Sequence, residues 1–167
     1  FLMIRRPPRS TLRHTLFPAT ALFRAEGLPH RCEAGLQHYA GILGLGEAAA
    51  YLRKLGRSNV ERHEASLNRA LTKGLKELDG VDVIGPQDPG KRGGIASFTV
   101  EGMSPHDVAM MLSSNGFMVR SGAHCVHSWF NKHGLQGSAR ASTYVYNTVS
   151  EVEAFLGELR DVLDIKR

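Results

Sequence analysis

The sequence has 167 residues, 42% hydrophobic and 22% charged, the makeup of one soluble globular domain able to bury its own core. No run of about 18 apolar residues occurs, so no membrane-spanning helix is expected. The formal charge of +5 lies in residues 1–31, where Arg5, Arg6, Arg9, Arg13, Arg24 and Arg31 face Glu26 alone; the remaining residues carry fifteen basic and fifteen acidic side chains, so a basic nucleic-acid-binding face has no compositional support.

The opening FLMIRRPPRSTLRHTLFPATALFRAEG mixes apolar residues, arginines and three prolines without a helical or strand period. Pro7, Pro8 and Pro18 would break the amphipathic helix of a transit peptide. Its words FLMIRRPPRSTL and TLFPATALFR resemble translated sequencing-adapter DNA, so residues 1–24 are expected to be a non-native leader.

From Ala40 to Leu55 the apolar positions Ile42, Leu45, Ala49 and Leu52 recur at helical spacing and predict a helix, broken at Gly56 and Arg57. The pattern Ser58-Asn59-Val60-Glu61 reads as a capping box opening a second helix, with Leu67, Ala70, Leu71, Leu75 and Leu78 as its stripe and Asp79-Gly80 as its end. Two β-branched runs, Val81 to Ile84 and Gly94 to Val100, predict adjacent strands joined by a loop containing Pro86, Pro89, Gly90 and Gly93. Ser104-Pro105, with Asp107 in the first turn, predicts the start of a third helix that Asn115-Gly116 closes. Phe117 to Arg120 and Ala139 to Tyr146 read as a third and a fourth strand. Thr148-x-x-Glu151 is a second capping box, and Val152, Phe155, Leu156, Leu159, Val162 and Leu163 make the closing helix amphipathic. Together these predict an α+β fold, a small and largely antiparallel sheet with helices on one face.

Two cysteines, Cys32 and Cys125, stand 93 positions apart, which fits neither a disulfide framework nor paired zinc spacing and points to a reducing, cytoplasmic setting. Cys32 reads as a small buried hydrophobe. Cys125 sits differently, in the polar stretch RSGAHCVHSW with Ser121, Gly122, His124, His127 and Ser128 around it. His124, Cys125, His127 and His133 could ligate a metal, but adjacent His124 and Cys125 cannot easily reach one ion and no second ligand pair completes the set. A thiol activated by histidine is another reading, though no orienting partner is visible. A last reading has the thiolate attack sulfur or selenium held on a cofactor, with Arg120, Arg140 or a histidine nearby to favour its ionised form. Trp129 and Phe130, beside this loop, are expected in the core, the alternative being a contact with a preceding domain or a sulfur-accepting partner.

Four blocks in one order, RCEAGLQHYAGILGLGEAAAYL from Arg31, GMSPHDVAMML from Gly102, RSGAHC from Arg120 and SARASTYVYNT from Ser138, resemble the C-terminal part of the cysteine desulfurase and selenocysteine lyase group of the class V aminotransferase family. The resemblance implies the small domain of a fold-type I enzyme using pyridoxal 5′-phosphate (PLP), converting L-cysteine to L-alanine with sulfur passing from a cysteine–PLP adduct to Cys125 as a persulfide. It also implies that Arg140 grips the substrate carboxylate, for which a guanidinium fork is suited, and that Arg120 and His124 support the loop. A homodimeric cytoplasmic parent and a sulfur-accepting protein, as in iron–sulfur assembly, follow from the same resemblance, with no metal site, nucleic acid or membrane as partner. Leu36 stands where, by the same resemblance, other members carry a threonine that reaches the cofactor phosphate of the partner subunit, and it has no hydroxyl. The family's Schiff-base lysine lies in a preceding domain, before Lys54, the first lysine of this chain. On this reading residues 1–24 are leader, 25–57 a linker and long helix, and 58–167 the small domain, inactive alone. An aminotransferase, epimerase or selenocysteine lyase of the same superfamily, or a non-catalytic or metal-binding module, are the alternatives.

Overall fold

The computed structural model describes residues 36–165. The head and Cys32 lie outside the described residues. These divide into two units, the first ending at Tyr51 and the second running from Leu52. Helix α1 (Tyr39–Leu55) buries none of its residues, and the apolar positions expected to face a core, Ile42 and Leu45, are 57% and 71% exposed.

Gly56, at φ 85°, turns the chain in one residue and caps α2 (Arg57–Lys76) without a side-chain bond. Ser58 is therefore already inside the helix, and the box expected over Ser58 to Glu61 does not form. Arg57 begins this helix and breaks nothing. Asn59 takes over part of the capping work by donating from Nδ2 to the Leu55 carbonyl at 2.8 Å. The helix also stops before Asp79-Gly80, which instead make the turn into β1 (Val81–Ile84), Gly80 having φ 75°.

A short 3₁₀ turn (Pro89–Lys91) interrupts the loop from β1 to β2 (Ile95–Val100). It is pinned to α2 by Asn68, whose Nδ2 donates to the carbonyls of Pro89 at 2.8 Å and Arg92 at 3.2 Å. Helix α3 (Pro105–Ser114) starts as expected: Ser104 is extended, its Oγ accepts from the Asp107 amide at 3.1 Å, and Pro105 fills the first helical position.

Phe117 to Val119 do not join a strand, and β3 spans only Arg120–Gly122. The C-cap of α3 accounts for the difference. Gly116, at φ 89°, donates to Ser113, and Phe117 donates to Leu112 at 2.9 Å, which is the Schellman pattern of crossed bonds. Phe117 is thereby committed to the helix end, and its ring packs on Phe155 with centroids 5.9 Å apart. A short helix, α4 (His127–Lys132), occupies a stretch in which sequence reading saw only loop. Strand β4 (Ser138–Ser142) stops four residues earlier than expected, because Asn147 Oδ1 accepts from the Tyr144 amide at 2.9 Å and folds residues 144–147 into a turn. Helix α5 (Val149–Ile165) has the expected reciprocal cap. Glu151 Oε2 accepts from the Thr148 amide at 2.7 Å while Thr148 Oγ1 accepts from the Glu151 amide at 3.2 Å.

The strands form one antiparallel sheet in the order β1-β2-β4-β3. Ala96, Phe98 and Val100 of β2 and Ala139 and Ala141 of β4 are buried on one face, under α2, α3 and α5. Leu67, Leu71 and Leu75 of α2, Val108 and Leu112 of α3, and Val152, Phe155, Leu159 and Val162 of α5 complete this core. The α+β architecture is as the sequence predicts. Among the described residues no helix is long and apolar enough to cross a membrane.

Candidate active site

Side chains alternate across a strand, so burying Ala139 and Ala141 sends Ser138, Arg140 and Ser142 to the opposite face. Arg140 pairs directly with Arg120 of β3 on one side and with Ser97 of β2 on the other. Two guanidinium groups side by side repel each other. Nothing local in the sequence relieves them, since no Asp or Glu occurs between Asp107 and Glu151, a stretch that holds Arg120, Lys132 and Arg140. Arg140 Nε is moreover buried without a hydrogen-bond partner. A ledge of this kind suits a small anion, and a carboxylate can take two parallel bonds from one guanidinium.

The chain leaves β3 through Gly122, at φ 109°, and turns over residues 123–126, where the Val126 amide donates to the Ala123 carbonyl at 2.8 Å. The two central residues are His124, φ 46°, and Cys125, φ 65°. Both are left-handed and neither is glycine, a conformation costing about 1–2 kcal/mol per residue. Strain of this kind collects at functional sites, where surrounding structure enforces it. Here the enforcement is visible. Gly137 packs its backbone against Gly122, so that a Cβ at 137 would lie 2.7 Å from the Gly122 carbonyl carbon. His124 Nε2 lies 3.1 Å from both the carbonyl and the Oγ of Ser138.

A carbonyl oxygen can only accept, so Nε2 carries the ring proton and Nδ1 is left as a bare lone pair, buried and without a partner. Burial chiefly pushes the His124 pKa below the usual imidazole value, and the charges of Arg140 and Arg120 push the same way against the Ser138 carbonyl bond. The imidazole is thus held neutral. The Cys125 thiol, by contrast, is exposed and unpaired. Neighbouring side chains part here, one turned in to β4 and the other out to solvent.

Phe130 of α4 is buried, its ring centroid 6.3 Å from that of His124 and 5.2 Å from that of Trp129. Trp129 does not share that burial: it stacks on His133 with centroids 4.0 Å apart and remains 39% exposed. The described residues contain no cluster of three or more His, Cys, Asp or Glu able to hold a metal ion.

The structure therefore brings Arg120, Arg140 and His124 to one edge and one face of the sheet, with Cys125 at the outer corner. Ser138, the residue that anchors His124, is not among those the sequence singles out. The period of two could have found it, because it places Ser138 on the face of Arg140.

A family model described as aminotransferase class-V matches residues 11–155, a range that takes in part of the arginine-rich head. A probable cysteine desulfurase of Pyrococcus abyssi is 39% identical over 135 residues, 81% of this chain and 33% of that protein. Probable cysteine desulfurase 2 of Mycobacterium leprae is 40% identical over 136 residues, 81% of this chain and 32% of its own length. Among solved structures, the apo cysteine desulfurase of Thermococcus onnurineus NA1 superposes with a TM-score of 0.77 at 41% identity, over 81% of this chain and 34% of that one. The cysteine desulfurase CsdA of Escherichia coli superposes with a TM-score of 0.76 at 26% identity, over 84% and 34%. The chain spans about a third of the length of these relatives.

Proposed function

The chain belongs to the class V aminotransferase family, and from that membership and the geometry of the cysteine turn we propose that it is the sulfur-accepting part of a PLP-dependent cysteine desulfurase. Cys125 is the nucleophile. Its sulfur attacks the sulfur of bound L-cysteine, a new S–S bond forms, and the C–S bond breaks with its electron pair left on carbon. The thiol proton of Cys125 balances that carbon as the methyl group of L-alanine, and the enzyme keeps a persulfide. No outside oxidant enters. A soft thiolate is suited to take sulfane sulfur, and an exposed one can hand it on to an accepting protein.

Arg140 binds the substrate carboxylate in this reading. Its unpartnered buried Nε and its unneutralised place beside Arg120 support that role. Neutral His124 ties the turn to Ser138, two residues before Arg140, so that acceptor and carboxylate site are set from one strand. Arg120 adds positive charge and carries the strand into the turn.

The described residues do not fit a cofactor-holding role. Every described lysine is exposed, unlike an amine kept reactive by desolvation, and Leu36 is 89% exposed and aliphatic. PLP and its lysine belong, on this proposal, to the two thirds of the relatives' length that this chain does not span.

The carrying observation is Cys125, a solvent-reachable thiol in a strained turn one residue from an imidazole in the field of two arginines. The test uses a full-length protein containing this chain, loaded with PLP and given L-cysteine. Cys125→Ala should abolish persulfide formation. Arg140→Lys should raise KM about 10- to 100-fold, the loss of one or two charge-assisted hydrogen bonds. Undiminished persulfide on the Cys125→Ala protein would defeat the proposal.

A further inference from the structure

Strand β3 is three residues long, lies at the edge of the sheet and is bonded to β4 alone. So short a strand needs further fixing if it is to aim the turn that follows it. One anchor, His124 on Ser138, lies on the face of Arg140. A second lies on the other face. Ser121 sits opposite Ala139, hence on the side covered by α3, and its Oγ is 2.8 Å from His106 Nδ1 in the first turn of that helix. The same imidazole reaches the next residue: a Cβ at Gly122 would lie 3.8 Å from His106 Cε1. Gly122, at φ 109°, is where the strand gives way to the cysteine turn.

Helix α3 has no need of this histidine for itself. Ser104 caps it, Pro105 stiffens its start, and Asp107 both supplies the capped amide and accepts from Ser104 Oγ at 2.7 Å. His106 is exposed and fills no part of the core. Its one hydrogen bond across the fold goes to the strand that delivers Cys125.

We infer that His106 is a positioning residue for Cys125, acting through Ser121, so that the turn is clamped between two imidazoles on opposite faces of the sheet. The functional meaning rests on the reading of Cys125 as the sulfur carrier; the clamp itself does not. Two measurements keep the two apart.

The first is amide hydrogen exchange on the full 167-residue chain, read at Val126, whose amide closes the turn on Ala123. His106→Ala and Ser121→Ala should each speed that exchange roughly two- to tenfold, the span for loss of one net hydrogen bond, and the double variant should go no further. His106→Asn, whose amide nitrogen occupies the place of Nδ1, should restore protection, and His106→Gln, which mimics Nε2, should not. Unchanged exchange at Val126, or equal behaviour of the Asn and Gln variants, would overturn the clamp. The second is steady-state kinetics of the full-length PLP enzyme, in which His106→Ala should lower kcat for sulfur transfer while KM for L-cysteine stays put. A rise in KM with kcat intact would overturn the positioning role even if the exchange result held.

Discussion

His124 resists protonation, and the sign of its effect on stability follows. Burial and the nearby arginines lower its pKa in the folded chain, so above the ordinary imidazole value near 6.5 folded and unfolded states are both neutral and the site adds no slope. As pH falls through that value the unfolded chain takes up a proton that the folded one refuses, and stability declines until the folded pKa is reached. Urea midpoints taken between pH 7.5 and 5 should therefore drop more steeply for the natural chain than for His124→Gln, whose amide keeps an Nε2 donor without titrating; equal slopes would contradict this account. At Cys125 the backbone is the lever. Glycine tolerates φ 65° without the penalty an L side chain meets, so Cys125→Gly should raise the urea-unfolding free energy by about 1 kcal/mol while removing the thiol. A destabilised Cys125→Gly chain would mean that the turn is not strained.

Between elements, the closest approach that fixes the turn is Gly137 against Gly122. Gly137 has φ 141° and its missing Cβ would overlap the Gly122 backbone. Gly137→Ala is expected to cost about 2–3 kcal/mol in denaturant unfolding, in the range of an overpacked core site, and to part β3 from β4. At the other end of β4 the reciprocal cap makes Thr148→Ala worth about 1 kcal/mol; the Glu151 carboxyl, held below its usual range by the Thr148 amide, should lose its part of that cap as acid protonates it. Such caps were readable in advance because their partners sit three residues apart: Ser104 with Asp107, Thr148 with Glu151. Ser58 with Glu61 has the same spacing and fails, since Gly56 starts the helix with its own backbone and leaves no end for Ser58 to cap. The strands were harder to delimit. Phe117 has strand propensity but serves a helix end, and Tyr144 to Tyr146 have it but obey the side chain of Asn147. Within the site, Cys125, Arg140, Arg120 and His124 stood out by residue type and motif. Ser138 and Ser121 did not, because a serine announces a role only through the partner that folding brings to it.

For the molecule as a whole, the buried core found among the described residues lies in the unit that runs from Leu52. Leu159 is fully buried in the core cluster, and Leu159→Ala should remove about 2–5 kcal/mol by calorimetry or urea titration. Helix α1 has no such support. With no buried residue, its amides over residues 43–51 should exchange orders of magnitude faster than those of Leu67 to Leu75; comparable protection would show that α1 is held by something besides its own turns. The central strand, finally, ties stability to chemistry in a way neither residue nor element shows alone. Every second side chain of β4 belongs to the hydrocarbon layer and the intervening ones to the charged ledge. A one-residue slip against β2 would drive Arg140 into oil and lift Ala139 and Ala141 into water. Misalignment is thus penalised by the whole core, so the ladder that buries Ala139 and Ala141 also dictates on which side of the sheet the Arg140 guanidinium emerges.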